Sequence, residues 1–82
     1  MTKYKLVQTC DDHDHHKVRY FKTRQRAIDA VIKDIRIGMD YFDGITEEEI
    51  PEIKKYITKN SSYREILEGH TQTEMYHKIT KV

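Results

Sequence analysis

Apolar residues recur at spacings of three and four through Ala27, Ile28, Val31, Ile32, Ile35 and Met39, the period of a helix with one buried face. Thr23 is placed to cap this helix, and Gly38 and Gly44 each offer a stop. Met39 and Phe42 continue the stripe, which favours an end at Gly44. Before it, residues 3 to 10 alternate: Tyr4, Leu6 and Cys10 lie on one side, Lys3, Lys5 and Thr9 on the other, with Val7 and Gln8 blurring the pattern. Val18, Tyr20 and Phe21 form a second short strand, and the polar run Asp11 to His16 is the hairpin loop between the two.

Further along, Thr46 and Glu49 have the form of a capping box with Ile45 and Ile50 as its hydrophobic staple, while Pro51 places the start of the regular helix near itself. Ile50, Ile53 and Ile57 make that helix's buried stripe. Ser62 and Glu65 form another capping box, which predicts a short helix through Tyr63, Ile66 and Leu67 closed by Gly69. The tail alternates again, with Thr73, Met75, His77 and Ile79 opposed to Glu74, Tyr76, Lys78 and Thr80, which favours a strand, although the spacing of Met75, Tyr76 and Ile79 also fits a helix. The predicted fold is therefore a single α+β domain over residues 1–82. It has a small antiparallel sheet, made of a β-hairpin plus a C-terminal strand, with two main helices and a short third helix on one face. The last strand is expected beside the first, leaving the second as an edge protected by Lys17, Arg19 and Lys22.

Charge changes this picture more than composition does. The formal net charge is only +1, yet Lys17, Arg19, Lys22, Arg24 and Arg26 form a basic block, and Asp40, Asp43, Glu47, Glu48, Glu49 and Glu52 an acidic one. Arg24 and Arg26 also stand at the positive end of the first helix dipole, a position that must be compensated or used. A single cysteine, Cys10, excludes an intramolecular disulfide framework and fits a reducing compartment. No apolar run approaches the length of a membrane span, so the expected location is the cytoplasm, without direct membrane insertion.

Candidate chemistry is sparse. His13, His15 and His16 lie among aspartates beside Cys10 and offer metal-ligand types, but without paired spacing, so a solvated turn is the plainer reading and no metal or cofactor is implied. No glycine-rich phosphate loop and no nucleophile with an ordered base is present, which argues against an enzyme. Two binding readings remain. The acidic corner, Asp40, Tyr41, Phe42, Asp43, Glu47, Glu48 and Glu49, could anchor and steer a protein partner. The alternative is nucleic-acid binding through Lys17, Arg19, Lys22, Arg24 and Arg26. A homo-oligomer could bury what one small copy leaves exposed.

The opening hairpin, the run Phe21, Lys22, Thr23 with Ala27, Ile28, Val31 and Ile32 after it, and the strand from Met75 to Val82 resemble short early or accessory proteins of tailed bacteriophages. The length is similar to that of the lysis-inhibition accessory protein of T-even-like phages. This resemblance implies a non-enzymatic cytoplasmic module that binds one host or phage protein stoichiometrically, in anti-defence, host takeover or lysis control.

Overall fold

The computed structural model describes residues 3–10, 15–40, 45–67 and 73–82. The chain forms strands β1 (Tyr4–Cys10), β2 (His15–Phe21), β3 (Ser62–Leu67) and β4 (Thr73–Lys81), and the stretches of helical period form α1 (Arg24–Met39) and α2 (Ile50–Asn60). A single 3₁₀ turn, Glu47–Glu49, leads into α2. The strands make one antiparallel sheet in the order β2-β1-β4-β3, so β4 lies beside β1 and β2 is an edge, as the sequence predicts.

The predicted short third helix is replaced by β3, which gives the sheet a fourth strand. Helical signals in so short a segment are weak, and pairing with β4 decides the outcome, setting Tyr63 against His77 and Glu65 against Met75. Glu65, expected to cap a helix beside Ser62, is instead 3% exposed. A second difference concerns α1, which stops at Met39 rather than Gly44: the Asp40 N–H turns back to the Ile37 and Gly38 carbonyls, and Gly38 lies inside the last turn. The capping box at Thr46 does not form either; a backbone bond from Glu49 N–H to Thr46 O, 3.0 Å long, closes that turn. Pro51 occupies the first turn of α2, where its missing N–H costs no helical bond.

Register assigns each strand residue to a face. Tyr4, Leu6, Gln8 and Cys10 of β1 share one face with Arg19 and Phe21 of β2, Tyr63 and Glu65 of β3, and Met75, His77 and Ile79 of β4. Leu6 and Ile79 from this face join Ala27, Ile28, Val31, Ile32 and Ile35 of α1 and Ile50, Ile53 and Ile57 of α2 in one buried cluster. The two helical stripes read from the sequence thus belong to the same cluster as Leu6 and Ile79.

The arginines at the start of α1 are explained in part by its neighbour. The Thr23 hydroxyl accepts from the Arg26 N–H at 3.1 Å, the predicted cap. Arg24 reaches across to the C-terminal end of α2, where it donates to the Ile57 and Thr58 carbonyls and, at 2.7 Å, to Ser61 Oγ. Ser61 closes α2 in the left-handed conformation, φ 58°, with its N–H on Ile57 O. A guanidinium set against the last carbonyls of a helix is favourable there, and this offsets its poor position on α1.

Candidate functional site

Two features stand out: a chain of polar side chains on one face of the sheet and a set of exposed apolar and aromatic residues on the other. The first begins at Gln8, an inward position of the central strand β1, 2% exposed. Its amide Nε2 donates to Asp34 of α1 at 2.8 Å, and its Oε1 accepts from Arg19 of β2 at 2.9 Å. Arg19 and Asp34 also pair directly at 2.5 Å, both about a third exposed. On the other side Gln8 Nε2 lies 3.0 Å from His77 Nδ1, and His77 Nε2 lies 3.1 Å from Glu65 Oε2. The chain therefore crosses all four strands.

Its protons follow from the groups of fixed sign. Arg19 can only donate and the Asp34 carboxylate accepts, so the Gln8 amide must present oxygen to the first and nitrogen to the second. That same nitrogen faces His77, whose Nδ1 must then accept. The imidazole proton sits on Nε2 and is donated to Glu65. A carboxylate orienting an imidazole is an arrangement used in acid–base catalysis. Here, however, the His77 and Glu65 side chains are 1% and 3% exposed, and the imidazole's two ring nitrogens already face Gln8 and Glu65.

Tyr63 borders this chain, its ring stacked on His77 at 6.5 Å between centroids. Burial, and then the negative charge of Glu65 and Glu49, raise its phenol above the ordinary 10.0. The folded state thus holds this proton longer than the unfolded chain does. Its contribution to stability is complete below pH 10.0 and is lost as pH rises through the folded value. Ultraviolet absorbance titration of the folded protein is expected to show a late-ionising tyrosine that Tyr63→Phe removes; an unchanged curve in that variant contradicts the assignment.

The opposite face of the sheet carries Lys5 and Val7 of β1, Val18 and Tyr20 of β2, Arg64 and Ile66 of β3, and Tyr76 and Lys78 of β4. Val18, Tyr20, Ile66 and Tyr76 are 38%, 59%, 39% and 44% exposed. The sequence already separates Tyr20 from Phe21 by strand alternation, and Phe21 indeed packs against the core cluster. Arg64 pairs with Glu74, and its guanidinium lies 6.0 Å from the Tyr76 ring centroid.

Those residues singled out in the sequence that the structure describes take separate places. Of the acidic corner, Tyr41, Phe42 and Asp43 lie outside the described residues; Asp40 caps α1, and Glu47, Glu48 and Glu49 are exposed, with Glu47 on Arg36 at 2.8 Å. Of the basic block, Arg19 belongs to the buried chain and Arg24 to the end of α2, leaving Lys17, Lys22 and Arg26 exposed. His13 and the side chain of His15 lie outside the described residues, and His16 is exposed on β2. Among the described residues no group of three or more histidine, cysteine or carboxylate side chains could hold a metal ion. A groove of about 420 Å³ between the helices is lined by charges of both signs, among them Lys54 and Asp29, which pair across 3.6 Å.

No family model, curated protein or solved structure matches the chain. No described helix is long and apolar enough to cross a membrane.

Proposed function

We propose that the protein is a non-enzymatic binding module that acts stoichiometrically through the uncovered face of its sheet, with both helices taken to lie over the other face. The observation that carries this reading is the gathering of four exposed large apolar or aromatic residues, Val18, Tyr20, Ile66 and Tyr76, on one face of one sheet. Scattered apolar residues are ordinary on a protein surface, whereas a shared face of them marks a contact surface. The buried polar chain supports the non-catalytic half of the proposal. Its most reactive pair, His77 and Glu65, is closed from any substrate and oriented toward its own neighbours. Such a chain ties the edge strand β2 and helix α1 to the sheet centre, which keeps the opposite surface rigid.

This assignment moves the contact surface away from the acidic corner, where Glu47 is already engaged with Arg36. Capture of cellular components on the immobilised protein tests it. Material retained by the wild type is expected to be lost with the double variant Tyr20→Ala, Tyr76→Ala and kept with Glu48→Lys, Glu49→Lys. The reverse pattern returns the contact surface to the acidic corner. Circular dichroism of the tyrosine variant should match the wild type, since both rings are substantially exposed.

A further inference from the structure

The charges of the uncovered face indicate the chemistry of its partner. Lys5, Lys78 and Arg64 stand there against a single described carboxylate, Glu74, which already accepts from Arg64 and from the Tyr76 hydroxyl. Lys5 and Lys78 form no ion pair among the described residues. Packing this face against a second copy would bring lysines toward lysines, with no spare carboxylate among the described residues to meet them, which disfavours self-association through it. Its described charges favour an anionic partner.

Register gives the arrangement of these groups. Lys5 lies directly opposite Tyr20, and Lys78 lies two residues along β4 from Tyr76, on the same face. Lys5 and Lys78 are diagonal neighbours across the β1 and β4 pair, because Lys5 opposes Thr80. A continuous path therefore runs Tyr20, Lys5, Lys78, Tyr76 across three strands. Ideal strand geometry puts its two rings roughly 17 Å apart, with both ammonium groups between them. Exposed rings separated by cations on a flat sheet suit a ligand that is planar and anionic by turns along its length. Carboxylates of an acidic protein surface would use the lysines but have no need of the ring faces.

Resting on the binding reading above, we propose that this face binds single-stranded nucleic acid. Bases stack on Tyr20 and Tyr76, and the backbone between them passes Lys5 and Lys78. Stacking on an aromatic side chain tolerates any base, so the mode is not sequence-selective and accepts DNA or RNA.

Fluorescence anisotropy with labelled 12-nucleotide single strands of mixed sequence, one DNA and one RNA, tests the proposal on the full chain. Wild type is expected to bind at low salt, with affinity falling steeply as salt rises. Tyr20→Ala and Tyr76→Ala should each weaken binding by about tenfold. Lys5→Ala with Lys78→Ala should reduce the slope of log affinity against log salt by about 1.4, two phosphate contacts on a single strand. Lys22→Ala with Arg26→Ala should leave affinity within about twofold. Loss of binding in that last variant, with the tyrosine variants unaffected, overturns the proposal in favour of the basic segment. Absence of binding to either strand at low salt also overturns it. If capture of a protein from nuclease-treated extract still depends on Tyr20 and Tyr76, the binding face stands and only its partner class falls.

Discussion

Ile35→Asp is expected to abolish the cooperative unfolding transition, leaving a chain without dispersed amide resonances. Ile35 is 0% exposed and sits within the cluster that joins Leu6 and Ile79 of the sheet to both helices. A carboxylate there loses its hydration inside an apolar cluster, at a cost above about 4 kcal/mol. A domain of this length has roughly 4–12 kcal/mol of total stability, so one such charge removes most or all of it. Ile35→Val keeps the apolar contact and removes one methylene, for a loss of about 0.5–1.5 kcal/mol with the fold retained. Thermal unfolding followed by circular dichroism separates the two variants. A cooperative transition in Ile35→Asp near the wild-type midpoint would contradict the burial assigned to this position.

The prominence of Ile35 was legible without a structure, because helical spacing is a local property and the stripe from Ala27 to Ile35 is long. The same holds for β4, whose alternation sorted Met75, His77 and Ile79 from Tyr76 and Lys78 along the faces found in the sheet. What escaped was set by partners distant in sequence. Residues 62 to 67 carry helix-start signals, yet Tyr63 and Glu65 are held as strand by residues of β4. Gln8 blurs the alternation of β1 because it is a polar residue at an inward position. Its parity with Leu6 placed it inward all along, and an inward glutamine requires bonding partners that no local pattern can name. Arg19 and Arg24 illustrate the same limit, since a linear basic block says nothing about which cations face a carboxylate or a helix end.

The sheet face that carries Tyr20 and Tyr76 was legible in its parts and illegible as a whole. Tyr20 was separable from Phe21 by alternation, and Tyr76 from His77, but their common surface depends on β1 lying between β2 and β4. The three strands bring together residues more than fifty positions apart. A surface built this way leaves no contiguous motif.

Replacing Gln8 by Leu is expected to lower stability by about 2–4 kcal/mol, although leucine has a similar size and is apolar. The amide links two otherwise separate polar pairs: it donates to Asp34 and His77 and accepts from Arg19. Arg19 and Asp34 retain each other in the variant and keep partial access to water, which limits their share of the loss. His77 is left at 2% exposure with a bare Nδ1, and the desolvation of that acceptor is no longer offset. Urea unfolding should therefore show a lower midpoint at an unchanged slope. Adding His77→Leu should cost less than the sum of the two single changes, because the second substitution removes the acceptor that the first one stranded. Strictly additive losses would show that the bond between Gln8 and His77 contributes nothing and that the two residues merely fill adjacent space.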